Sequence, residues 1–195
     1  NAWVGRKEKV DSLLAEISDR IIEGPATERI LLMKRSSWLM KNRPEISFMC
    51  GPYALNKIFA ATNKKKKLSD KLMEVQSTSE GFSLSDLEAM AQRAGMKYQM
   101  AFRKAGAELI PYSVVHWKLD HYSALIKKDS THYKCEDATV GTTYGLSFWL
   151  TKAAIDSSAS GYFLVPEGIL PQGWRRVTSE EGSRIFGKGQ VPPDD

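Results

Sequence analysis

Residues 46–63 read ISFMCGPYALNKIFAATN. Leu55, Ile58 and Phe59 recur along this stretch at helical spacing, and Gly51 and Pro52 stand where a helix starts, because proline has no N–H to lose there. Cys50 therefore sits at a helix N-terminus. A thiol becomes an efficient nucleophile as thiolate, and a helix N-terminus together with a neighbouring imidazole stabilises that form. The alternative reading of Cys50 is a small apolar core residue following Met49.

On the N-terminal side, Val10, Leu13, Leu14, Ile17 and Ile21, then Ile30, Leu31, Met33, Trp38 and Leu39, repeat at helical spacing, and Gly24 and Pro25 interrupt them. This predicts a two-helix hairpin over residues 1–43. On the C-terminal side a helix is expected from about Ser83 to Ala94, with Asp86 and Glu88 in its first turn and Gly95 as its stop. Strand character follows at 97–102, 112–116, 121–127 and 132–137, and GYFLVP at 161–166 is a last short strand. Helices first and strands later make an α+β domain over residues 44–166, its helices packed on an antiparallel sheet. The glycines and prolines after 166 read as an extended tail or linker over 167–195.

The chain has 195 residues, 42% of them hydrophobic, enough for one principal core. No stretch has the roughly 20 apolar residues of a membrane span, so the chain reads as soluble with no membrane span in this segment. Its start at Asn1 and its VPPDD end suggest a piece of a longer polypeptide. The net charge is +5, and the densest basic run, Lys64–Lys67, is local; without basic residues spread over a face and interleaved with aromatics, no nucleic-acid partner is expected. Two cysteines and three scattered histidines offer neither a disulfide framework nor a structural metal site, and no cofactor motif is present, although Cys50 and Cys135 are free to form one bridge.

The remaining chemistry lies in the hairpin 121–137. A turn symmetric about Asp129 and Ser130, or one residue earlier, pairs residues whose numbers sum to 258 and sets His121 opposite Asp137, their Cβ atoms about 5 Å apart. Both project from one face with Ser123 and Cys135. The expected triad is Cys50 as nucleophile, His121 as base and Asp137 as orienting acid, with the carboxylate on Nδ1 and Nε2 left for the thiol. His116 is the competing base, and His132 reads as a surface residue.

CGPYALNKI, GFSLSDLEAMAQRAGM, SVVHWKLDHYSALI and YKCEDAT occur in an order and spacing that resembles the bacteriocin-processing, double-glycine leader peptidases of the papain-like superfamily, over about residues 45–165. The resemblance implies a papain-like fold and thiol peptidase chemistry on an extended peptide, in trans or within its own parent chain, with Cys50, His121 and Asp137 in the family's catalytic positions. It also implies an oxyanion-donating glutamine six residues before the cysteine, where this chain has Pro44. Asn42 and Ser47 are the candidate replacements, and loss of such a donor costs about two to three orders of magnitude in rate. The departure leaves a second reading: a catalytically weak or inactive domain that binds a peptide or a neighbouring domain. A third is acyl transfer, which shares the acyl-enzyme with hydrolysis.

Overall fold

A computed structural model describes residues 5–62, 70–137 and 146–190; the basic run Lys64–Lys67 lies outside them. The first half is helical: α1 (Lys7–Glu16), α2 (Ala26–Asn42), α3 (Pro44–Ser47), α4 (Cys50–Thr62) and α5 (Asp70–Met73), then a two-residue strand β1 (Phe82–Ser83) and α6 (Leu84–Arg93). The second half is mostly sheet: β2 (Tyr98–Arg103), β3 (Ser113–Trp117), β4 (His121–Lys128), β5 (His132–Asp137), β6 (Leu146–Thr151), α7 (Lys152–Ser158), β7 (Ala159–Pro166), β8 (Trp174–Arg176), α8 (Ser179–Gly182) and β9 (Phe186–Gly187). The fold is thus α+β.

Both central helices begin where their sequences put a start. In α4 the Tyr53 N–H reaches the Met49 carbonyl at 3.1 Å, so Cys50 is the first helical residue and Pro52 falls within the first turn, where its missing N–H leaves no bond unmade. Ser83 caps α6 in a reciprocal box, its hydroxyl accepting from the Asp86 N–H at 3.1 Å while Asp86 accepts from the Ser83 N–H at 2.8 Å. Loss of that cap costs about 1 kcal/mol. Leu55 and Ile58 of α4 and Leu84 and Leu87 of α6 are wholly buried, each worth roughly 1.5–3 kcal/mol against exposure.

These helices cover one face of a seven-stranded antiparallel sheet of order β6-β5-β4-β3-β7-β2-β8. Side-chain alternation divides the core between two faces. Tyr122, Ala124 and Ile126 of β4 join Met100, Val114 and Leu164 beneath α4 and α6. Leu125 joins Tyr133, Cys135, Phe163, Val165 and Ile155 of α7 in the other cluster. Helices α1 and α2 form the expected hairpin, tied together by Asp11 and Ser37. No helix among the described residues is long and apolar enough to cross a membrane.

The segment after residue 166 departs from the sequence reading. Instead of an extended tail or linker, residues 167–190 fold back onto the domain. Ala101, Phe102 and Arg103 of β2 pair with Arg176, Arg175 and Trp174 of β8, Val177 is buried, and Phe82 and Ser83 pair with Gly187 and Phe186. Its glycines and prolines mark turns between short pairings with distant strands, which local composition does not reveal.

Candidate active site

Three elements converge at the start of α4. Cys50 opens the helix and is buried, so its sulfur lies at the positive end of the helix dipole, beside backbone N–H groups with no intrahelical acceptor. His121 opens β4, and Asp137 is the last residue of β5; both are buried. Nε2 of His121 and Oδ2 of Asp137 are 2.6 Å apart. On the other side of the ring, Nδ1 is buried with no hydrogen-bond partner and faces the Cys50 region: a Cβ built on Gly189 would overlap Nδ1 and come within 2.8 Å of the Cys50 Cβ. Cys50, His121 and Asp137 are therefore neighbours in space, drawn from positions 50, 121 and 137.

The geometry differs from the sequence expectation in two respects. The ring is turned the other way, with Nε2 on the carboxylate and Nδ1 toward the cysteine. The hairpin register is also shifted by two, since Ala124 pairs with Glu136 and Leu125 with Cys135, which carries Ser123 opposite Asp137. The physical cause is the turn. Asp129 accepts the N–H groups of Thr131 and His132 at 2.8 and 2.7 Å, closing the loop one residue later than assumed, and a bulge between Leu125 and Lys127 absorbs the remainder. His121 and Asp137 keep the same parity and meet diagonally, a distance long side chains span.

Ser123 and Trp117 are parts of the site whose hydrogen bonds to Asp137 and to each other the sequence did not reveal; Trp117 reads from sequence only as core or cleft wall. The Ser123 hydroxyl donates to Asp137 Oδ2 at 2.7 Å and accepts from the Trp117 indole N–H at 2.8 Å. The carboxylate is thus held by two donors with its own position fixed from behind. The only sequence signal was the shared odd parity of Ser123 and Asp137.

His121 has its proton affinity set by these neighbours. Burial acts to lower it, but the Asp137 hydrogen bond and the adjacent Cys50, with the charges of both, outweigh burial and raise the pKa to about 10. His116, the competing base, is buried on β3 with Nδ1 at 2.8 Å from the Ser160 hydroxyl and Nε2 at 2.8 Å from the Phe186 carbonyl. Burial lowers its pKa, and a carbonyl requires a donor, so the ring is neutral with its proton on Nε2. His132 is partly exposed beside the turn. Cys135 is not bridged to Cys50; both are free thiols, and burial followed by the Asp137 charge pushes Cys135 up to about 12.

Neither oxyanion candidate is free. The Asn42 amide is exposed and donates to the Trp38 carbonyl at 2.8 Å, and the buried Ser47 hydroxyl donates to the Arg43 carbonyl at 2.7 Å within the short helix α3. Pro44 begins that helix. Among the described residues no cluster of three His, Cys, Asp or Glu side chains is placed to hold a metal ion. An open concavity of about 560 Å³ lies between α6, β2 and the segment 176–179, and Cys50, His121 and Asp137 do not line it.

The mixed arrangement of helices packed on an antiparallel sheet is that of the papain-like cysteine peptidase fold. The model of the Peptidase C39 family matches residues 47–167, more than half of the chain, and the chain belongs to that family. Among solved structures it is similar to a double glycine motif protease from an AMS/PCAT transporter, solved in complex with the leader peptide: 17% identity over 60% of this chain and 84% of that one, TM-score 0.47. No curated protein matches it.

Proposed function

We propose that this chain is a thiol peptidase that cleaves an extended peptide, with Cys50 as nucleophile, His121 as the proton-transfer group and Asp137 as the residue that orients it. The observation that carries this reading is the buried His121, gripped by Asp137 through Nε2 at 2.6 Å and turned with Nδ1 toward the cysteine at the start of α4. In the reaction the Cys50 thiol gives its proton to His121 Nδ1 as the sulfur attacks the peptide carbonyl carbon. The C–N bond breaks as the leaving nitrogen takes a proton from Nδ1, giving a thioester and a free amine. Water then attacks the thioester, giving its proton to Nδ1, and the acid product leaves with the thiol regenerated. Asp137 holds the ring and stabilises its positive charge throughout. With Pro44 in the place of a side-chain donor, backbone N–H groups at the start of α4, that of Cys50 first, receive the developing oxyanion.

A specific observation supports the second reading, a peptide-holding domain with weak or no turnover: both side chains able to replace the missing donor are spent on backbone carbonyls. The test is a mass-spectrometric peptide-library assay on the full chain, Cys50→Ala, Asn42→Ala and Ser47→Ala. Turnover by the full chain that is absent in Cys50→Ala and reduced less than about threefold in Asn42→Ala and Ser47→Ala is the expected result. A loss near a hundredfold in either would assign that side chain the donor role. Equal patterns in wild type and Cys50→Ala would leave the peptide-holding reading.

A further inference from the structure

The groove over Cys50 is already filled, and what fills it is this chain's own segment 185–190. The segment runs as a strand, antiparallel to β1, with Phe82 opposite Gly187 and Ser83 opposite Phe186. Its backbone is bound from both sides. The Ile185 carbonyl accepts from the Leu84 N–H and the Tyr122 hydroxyl, each at 2.8 Å. The Phe186 carbonyl meets His116 Nε2, and the Lys188 N–H donates to the Asp120 carbonyl at 2.7 Å. Asp120 immediately precedes His121 and has a φ of +55°, a left-handed conformation that aspartate tolerates better than most residues. The Gly189 N–H then donates to the Cys50 sulfur at 3.2 Å.

Side chains are read as tightly as backbone. In an extended strand, residues two apart face the same side. A Cβ on Gly187 would overlap the Tyr122 ring, and one on Gly189 would overlap His121 Nδ1. Only residues without a side chain fit at those two positions. Lys188 between them turns the other way and pairs with Glu80. The N-terminal part of the chain backs the segment: a Cβ on Gly5 would overlap the Lys188 carbonyl, and the Gln190 amide lies 3.4 Å from the Ser36 carbonyl of α2.

We propose that residues 185–190 are an intramolecular peptide occupying the substrate groove, a strap that competes with other peptides for Cys50 and lowers the fraction of open site without abolishing it. Main-chain pairing to a strand edge is how extended peptides are commonly recognised; the pairing with β1 and the bond to the Asp120 carbonyl are of that kind, and the Tyr122 hydroxyl and His116 ring add side-chain bonds to the same backbone. The strap is an inhibitor and not a substrate because of how it meets the sulfur. The Gly189 N–H points at Sγ, so sulfur lies near the peptide plane on the nitrogen side, whereas attack requires approach to the Lys188 carbonyl carbon from above that plane. The same contact engages the sulfur as an acceptor, with Gly189 packed directly against His121 Nδ1. The strap rests on the peptidase reading of the groove, but its test does not require turnover.

The experiment is the rate of Cys50 alkylation by iodoacetamide in the full chain, read by mass spectrometry beside circular dichroism. Gly187→Val and Gly189→Val should each displace the strap and raise the rate by about tenfold or more, because reactivity scales with the open fraction. Lys188→Glu is the milder variant: it reverses the pairing with Glu80, should raise the rate severalfold, and should be restored by the double variant Glu80→Lys/Lys188→Glu. Unchanged alkylation in folded Lys188→Glu and in either glycine variant would overturn the strap. So would Cys50-dependent cleavage of the Lys188–Gly189 bond on standing, which would make the segment a substrate. If alkylation rises as expected while no variant hydrolyses any peptide, the strap stands and the peptidase reading falls.

Discussion

His116 and His121 are five residues apart on adjacent strands of one hairpin, both buried, and their surroundings drive them in opposite directions. His116 sees a serine hydroxyl and a backbone carbonyl, and burial prevails, so the ring is held neutral. His121 sees a carboxylate and a cysteine, and their attraction for a charged ring outweighs the same burial cost, lifting it to about 10. Burial alone therefore does not decide what a histidine does; the charge facing it does. The consequence is one ring drawn toward its charged form beside Cys50 and one neutral ring that binds the backbone of the segment lying across it.

The largest effect that separates the two rings is on turnover. His121→Ala should lower kcat/KM by at least about a thousandfold, as removal of a triad base does, and Asp137→Asn by a comparable factor, because an amide in that place favours the wrong tautomer. His116→Ala should leave hydrolysis within a few-fold of wild type or raise it, since it removes hydrogen bonds to Phe186 and Ser160 and none to Cys50 or Asp137. A His116→Ala protein as inactive as His121→Ala would exchange the two roles.

A smaller effect is on stability, and its sign differs between the two. The raised pKa of His121 means that its contribution to stability is fully present below the unfolded value near 6.5 and is lost as pH rises through about 10. Thermal unfolding should show the gap in Tm between wild type and His121→Gln narrowing from pH 7 toward pH 10.5. His116, with its pKa lowered, must take up a proton on unfolding in acid, so wild-type stability relative to His116→Gln should fall as pH drops below about 6.5. A gap for His121→Gln that widens in alkali would contradict the account of that ring.

Much of this site was legible in the sequence because it depends on local rules. The start of α4 at Cys50 follows from proline and glycine, the cap of α6 from Ser83 and Asp86, and the common face of His121 and Asp137 from strand parity alone. What was not legible depends on partners far along the chain. The two-residue shift in hairpin register came from Asp129 capping the turn and from a bulge, and it substituted Ser123 for His121 as the residue opposite Asp137. The C-terminal glycines read as linker because nothing nearby shows that Gly187 and Gly189 must pass beneath Tyr122 and His121; that requirement exists only once 82, 121, 122 and 187 are together.

The central claim is that the Cys50 sulfur, served by His121, forms a covalent acyl intermediate with an extended peptide. Its most direct test is the intact mass of the chain, acid-quenched during incubation with a library of glycine-containing peptides in the Lys188→Glu background, where the strap is loosened. The account predicts an added acyl group, mapped by fragmentation to Cys50, that is absent in Cys50→Ala and strongly reduced in His121→Ala. No adduct in the Lys188→Glu chain, or one that persists after Cys50→Ala, would contradict it.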